Sequence, residues 1–118
     1  MTEKTITMQG KEVALCYCAA TENGFEELSG KNIYDIDFKS QRDLVSLSLS
    51  AIVVAYARKD AKPPVTSDYV LYEATPKEVS DLIAATLQLR VEWYNIPKVV
   101  ADQLEKESSE SSEEAPKN

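Results

Sequence analysis

The chain has 118 residues, of which 13 are Lys or Arg and 20 are Asp or Glu, so its formal net charge is −7. A chain of this length is expected to form one domain and to bury a core without disulfides or metals. It contains no histidine, which excludes a Ser-His-Asp triad, a Cys-His pair and a histidine-based zinc site within one chain. The acidic balance also argues against a nucleic-acid partner, because such a surface needs clustered Lys and Arg.

A β-hairpin is predicted at the N-terminus, with strands over residues 5–8 and 12–18. Apolar side chains alternate with smaller ones in the second strand, which is the two-residue period of β-structure. Gln9 and Gly10 separate the strands, and glycine readily adopts the positive φ of a tight turn. Both faces of the second strand are fairly apolar, so we expect helices to cover the hairpin.

A short helix is predicted over residues 20–28, ending before Gly30, which suits the left-handed position after a helix. Phe25 and Leu28 lie three residues apart and are expected to share one face of this helix. Residues 32–38 alternate apolar and acidic side chains, a pattern that fits either a connector or a short strand.

A central helix is predicted from Gln41 to Arg58 or Lys59. Ser40 precedes it as a cap, and Asp43 stands where the acidic partner of a capping box is found. Because this helix is apolar nearly all round, we expect other elements to surround it.

Neither the N-terminus nor this central helix predicts membrane insertion. The N-terminus lacks the apolar core of a signal peptide, and the longest apolar run is shorter than the ~20 residues that span a bilayer. We therefore expect a cytoplasmic protein without a membrane partner.

A second long helix is predicted to begin with a capping box, in which Thr75 caps the first turn and Glu78 reaches back to it. We expect this helix to continue to about Tyr94 and to be interrupted at residues 95–97, which include a proline. One more short helix is predicted over residues 98–104.

The remaining residues, 105–118, include five Glu and four Ser but no large apolar side chain. Such a composition buries too little apolar surface to fold by itself. The predicted fold is therefore α+β: a helix-dominated single domain over residues 1–104, with an N-terminal β-hairpin and two long helices, followed by a disordered acidic C-terminal tail over residues 105–118.

No catalytic, cofactor-binding or metal-binding set of residues is predicted. Asp35 and Asp37 would share a face of an extended segment, but two carboxylates supply too few ligands for a cation, and a solvated edge is the favoured interpretation. Cys16 and Cys18 lack the second pair of a zinc site and fit small buried side chains of a strand in a reducing compartment.

The candidate protein-binding residues are aromatic. Large aromatic side chains with a polar tip are enriched at the centres of protein interfaces. The alternative is that they belong to the core of this domain, and for the tryptophan this alternative is favoured. The candidates are Tyr69, Tyr72, Trp93 and Tyr94.

The order of elements and several short motifs resemble the tail assembly chaperones of long-tailed, siphovirus-type bacteriophages. The hairpin has the form I-x-x-x-G-K-x-x-x-L, over residues 6–15, and the short helix has the form F-x-x-L-x-G, over residues 25–30. A long apolar helix that ends in Arg58 and Lys59, a P-x-x-T stretch over residues 63–66, a second long helix and a Glu/Ser-rich end complete the resemblance.

This resemblance implies a non-enzymatic chaperone of a bacterial host cell. Its partners would be the phage tape measure protein, which it binds, and the tail tube protein, whose subunits it recruits. Self-association would also be expected. The resemblance implies no cofactor. The residues by themselves leave two other classes of function open. One is a generic acidic adaptor or inhibitor module that binds another protein, and the other, more remote, is a small enzyme that uses Asp/Glu or Cys.

Overall fold

The computed structural model describes the backbone of residues 2–111 and the side chains of residues 2–95. Two antiparallel strands, β1 (Thr2–Met8) and β2 (Lys11–Tyr17), form the N-terminal hairpin. The two turn residues, Gln9 and Gly10, have φ values of 57° and 70°, which are the left-handed values that a two-residue hairpin turn requires. The predicted hairpin is confirmed.

Three α-helices follow the hairpin: α1 (Ala19–Ser29), α2 (Gln41–Ala57) and α3 (Pro76–Ser111). A single 3-10 turn (Ile33–Asp35) connects α1 to α2, so this segment is a connector and not a strand. A π-helical turn (Tyr69–Glu73) precedes α3. The helix-dominated α+β fold predicted from the sequence is confirmed.

The predicted helix ends are set by local hydrogen bonds. The Ser40 hydroxyl accepts from the Asp43 backbone N–H at 3.2 Å and caps α2. The Thr75 hydroxyl accepts from the Glu78 N–H at 3.1 Å, and the Glu78 carboxylate accepts from the Thr75 N–H at 3.0 Å. After α1, Gly30 takes the left-handed conformation with φ of 74°. Each cap satisfies backbone groups that a helix end leaves unpaired.

The predicted interruption of the last helix at residues 95–97 is wrong, because α3 is continuous from Pro76 to Ser111. A proline inside a helix removes one backbone hydrogen bond and crowds the preceding turn, and in α3 the helix continues through this local cost. Extending an existing helix also avoids the cost of nucleating a new one, so Glu- and Lys-rich residues can continue it.

The last helix therefore ends seven residues beyond the predicted end at Leu104, and residues 105–111 are helical where a disordered tail was predicted. Residues 112–118 of that tail lie outside the described residues. The domain boundary after residue 104 stays a prediction.

The core lies between the hairpin and the helices α2 and α3, which both pack on β2. Its largest fully buried side chains are those of Tyr17, Phe25, Met8 and several leucines. Cys16 is buried and Cys18 is half-buried, and burial raises the pKa of the Cys16 thiol.

Side chains of the helices also satisfy the outer edge of β2. The Tyr56 hydroxyl accepts from the Ala14 N–H at 2.9 Å, and the Thr21 hydroxyl donates to the Cys16 carbonyl at 2.8 Å. These contacts occupy backbone groups that an exposed edge strand would leave open to pairing with another chain.

Candidate partner-binding groove

The four aromatic residues predicted to bind a partner do not form one cluster. Tyr69 and Tyr72 lie in the π-helical turn before α3, whereas Trp93 and Tyr94 lie 17 and 18 residues after its first residue, Pro76. At 1.5 Å per residue, the helix separates the two pairs by about 25 Å. The two pairs therefore lie in different parts of the molecule.

Tyr69 has a structural role. Its hydroxyl donates to the Glu78 carboxylate at 2.7 Å, and the same carboxylate accepts the backbone N–H groups of Thr75 and of Gln9, the latter at 2.8 Å. The hydrogen bonds from Gln9 and Thr75, followed by that from Tyr69, lower the pKa of Glu78 to about 2. One carboxylate thus joins the hairpin turn, the π-helical turn and the start of α3.

Trp93 and Tyr94 are neighbours in sequence, and their rings meet edge to face with centroids 4.9 Å apart, but their surroundings differ. The Trp93 ring packs toward the hairpin, with its centroid 5.6 Å from that of the buried Tyr17. Tyr94 is partly exposed, and its hydroxyl donates to the carboxylate of Glu22. Trp93 is therefore partly buried and packs against the core, whereas Tyr94 is more exposed.

Tyr72 lies beside an open groove of about 1140 Å³ between α2 and α3. The walls are formed by Val45 and Leu49 of α2 and by Val79, Ile83 and Leu87 of α3. The groove residues of α3 run from Pro76 to Leu87, a length of about 16 Å, or three helical turns. This is the length of a short amphipathic helix that would lie along the groove.

Large apolar side chains at the mouth of the groove are open to solvent. Tyr72 is 81% exposed, Leu28 at the end of α1 is 56% exposed, and Leu71 of the π-helical turn is 51% exposed. All three line the groove. Phe25 and Leu28 therefore have different environments, since Phe25 is fully buried while Leu28 contributes to the groove.

Sequence reasoning missed most of this groove, because it expected other elements to surround α2 on all sides. The sequence of α3 does contain a pattern that indicates two different faces. Residues 82, 86, 89 and 93 form the stripe that faces the core, whereas residues 76, 80, 83 and 87 recur at alternating spacings of four and three and line the groove. Two stripes on one helix indicate two packed or binding faces.

Polar residues lie at the edge of the groove. Arg42 is exposed, and it forms no ion pair with any side chain of residues 2–95. A cation beside an apolar groove favours a partner that carries a carboxylate next to its apolar stripe.

The other sequence candidates stay apart from this groove. Asp35 is exposed, and Asp37 is exposed with its carboxylate accepting from the Lys39 N–H at 2.9 Å. Within the described part of the chain, no group of three or more Cys, Asp or Glu residues is arranged to hold a metal ion. None of the described helices is both long and apolar enough to cross a membrane.

The groove is thus suited to binding an apolar helix, and its walls and mouth offer aliphatic and aromatic side chains for that contact. Comparisons of the chain with protein-family models, with curated proteins and with solved structures found no match.

Proposed function

We propose that this chain is a non-enzymatic tail assembly chaperone of a long-tailed phage, which acts in the cytoplasm of the bacterial host. It binds a helical segment of the tape measure protein and recruits tail tube subunits, and it self-associates. The observation that carries the proposal is the open apolar groove between α2 and α3. The motif resemblance over the hairpin and α1 supports the choice of partner.

The groove gives the chaperone a physical mechanism. A long helical client exposes an apolar stripe that would otherwise pair with other copies and aggregate. Three turns of that stripe, with apolar residues at positions i, i+3 or i+4 and i+7, match the length of the groove. The net charge of −7 of the chain opposes nonspecific aggregation.

Co-expression with the tape measure protein of the same phage tests the proposal. The wild-type chain is expected to keep that client in the soluble fraction. The double variant Leu71→Ala/Tyr72→Ala removes two exposed groove residues, and we expect it to weaken client binding at least about tenfold, since aromatic anchors dominate interface energies. Its melting temperature should stay near that of the wild type because both side chains are exposed.

Val53→Ala is the matched control, because Val53 is an exposed apolar residue of α2 that does not line the groove. This variant should rescue the client as well as the wild type does. If the wild-type chain neither binds nor solubilises the tape measure protein, the chaperone proposal is overturned and the acidic adaptor takes its place. If binding survives the Leu71/Tyr72 change, the client binds elsewhere than in the groove.

A further inference from the structure

The groove face of α3 continues beyond the groove itself. Its residues recur along the helix at positions 76, 80, 83 and 87. The next positions with the same alternating spacing of three and four residues are Arg90 and Tyr94. Phe38 lies just before the residues of α2 that form the opposite wall, and its ring contacts Arg90. Both walls of the groove therefore extend toward a second cluster, formed by Phe38, Arg90 and Tyr94.

Two aromatic rings position the charged group of this cluster. The Arg90 guanidinium carbon lies 5.0 Å from the centroid of the Phe38 ring and 4.7 Å from that of Tyr94. Attraction between a cation and ring faces holds the guanidinium in one plane without using its N–H groups. The N–H groups stay available for hydrogen bonds.

The chain pairs this guanidinium only loosely, through a long ion pair with the carboxylate of Glu22. Arg90 Nε is buried and has no hydrogen-bond partner, and its distance to the Glu22 carboxylate is 3.9 Å. That carboxylate instead accepts the hydroxyl groups of Tyr17, at 2.9 Å, and of Tyr94. Burial raises the pKa of Tyr17, and the charge of Arg90 and its contact with the Tyr17 hydroxyl oppose that rise. Among the side chains of residues 2–95, the guanidinium forms one ion pair, with Glu22, at a distance longer than a hydrogen bond.

We infer that Arg90 is a recognition residue, which binds a carboxylate at one end of the apolar helix in the groove. This inference rests on the proposed function, because the same client helix occupies both sites. A planar guanidinium pairs with a carboxylate through two parallel hydrogen bonds, and the side chain is 23% exposed, so a ligand can reach it. Phe38, which is 49% exposed, contacts Arg90, and Tyr34, which is 90% exposed, lies near Tyr94.

The inference defines the class of partner. From Pro76 to Tyr94 the binding face is about 27 Å long, which corresponds to a client helix of about 18 residues. Such a helix has an apolar stripe of about three turns, followed on the same face by Asp or Glu about one turn later. The acidic residue fixes the register of the client in the groove, because shifting by one turn would separate it from Arg90.

Two synthetic helical peptides of 18 residues test the inference against the full chain. Both peptides carry a stripe of Leu on one face over three turns. One peptide has Glu at each end of this stripe, and the other has Gln at the same two positions. Because both ends carry the same residue, Arg90 meets it whichever way the peptide lies in the groove. Fluorescence anisotropy is expected to show that the wild type binds the Glu peptide about tenfold more tightly. Arg90→Gln should bind both peptides with the affinity of the Gln peptide.

A charge reversal separates recognition from a structural role of Arg90. Arg90→Glu is expected to bind a third peptide, with Lys in place of Glu, more tightly than it binds the Glu peptide. A substitution at a merely structural residue would not reverse the charge preference in this way. The preference of the wild type for the Glu peptide should also shrink between 50 mM and 500 mM salt, a measurement that needs no variant.

Equal affinity of the wild type for the Glu and Gln peptides would overturn the role of Arg90 and leave the groove in place. A Glu preference that persists in Arg90→Gln would overturn it too, and would transfer the recognition to another cation such as Arg42. Failure of all peptides to bind would overturn both this inference and the proposed groove.

Discussion

The two sides of α2 differ in how closely the neighbouring helix approaches. On the α1 side the contact is tight: a Cβ atom at Gly24 would lie 2.1 Å from the Ser50 hydroxyl oxygen. That hydroxyl donates to the Thr21 carbonyl of α1 at 2.7 Å. On the α3 side, the first halves of α2 and α3 line an open groove of about 1140 Å³.

The difference follows from the size of the side chains at each contact. Gly24 and Ser50 let two backbones come together, and the serine satisfies a helix carbonyl inside the contact. Large side chains face each other across the groove, and the π-helical turn, fixed by Glu78, stands at its edge. The tight side serves stability, whereas apolar surface on the open side is available to a partner.

The largest test of this difference compares two residues of α1. Phe25→Ala is expected to lower the free energy of unfolding by about 3–5 kcal/mol, because a fully buried ring leaves a cavity. Leu28→Ala, one turn later but in the open groove, should change it by less than about 0.5 kcal/mol. Urea unfolding measures both, and a similar loss for the two variants would show that the groove is closed in solution.

The second test crowds the tight contact. Gly24→Ala should lower the free energy of unfolding by about 1–2 kcal/mol, since the overpacking cost exceeds the better helix propensity of alanine. Asn23→Ala, at an exposed neighbouring position, is the control and should be neutral or slightly stabilising. The double variant Gly24→Ala/Ser50→Ala should be more stable than the sum of the single changes predicts, and strict additivity would contradict the contact.

The third test concerns the carboxylate that holds the edge of the open side. The pKa of Glu78 is lowered from its ordinary value of 4.5 to about 2 in the folded chain. Its contribution to stability is therefore complete above about pH 4.5 and is lost as the pH falls toward 2. In Glu78→Gln, the melting temperature should be lower at pH 7 and should fall less between pH 5 and pH 2 than that of the wild type.

The control for this pH profile is Glu27→Gln, which removes an exposed carboxylate from α1. Its melting temperature should follow the wild-type curve over the same range. An unchanged curve for Glu78→Gln would mean that the carboxylate does not hold the π-helical turn and the hairpin together.

The smallest effect is expected at the C-terminal end. Deleting residues 107–118 should change the melting temperature by no more than about 2 °C, because this Glu/Ser-rich segment has no large apolar side chain to bury. Truncation before Trp93 should lower it clearly, since that ring packs on Tyr17. A marked loss on deleting residues 107–118 would mean that they pack on the body.

Much of the local structure could be predicted from the sequence. The hairpin turn at Gln9 and Gly10, the cap at Ser40 and the capping box of Thr75 and Glu78 all depend on residues within four positions of one another. The continuation of α3 past Pro97 was not predicted, because an interior proline usually ends or kinks a helix and the local sequence does not show where one is accommodated.

The sequence alone thus determined the order and the caps of the elements, the buried character of β2 and α2, and the lack of histidine chemistry. Only the tertiary structure decided which apolar residues became core and which became the open groove, and that Trp93 packs inward while Tyr94 stays at the surface. It alone brought Arg90 between Phe38 and Tyr94. The physical reason is that these features depend on contacts between elements far apart in the chain, and helical spacing shows that a residue belongs to a face without showing what that face meets.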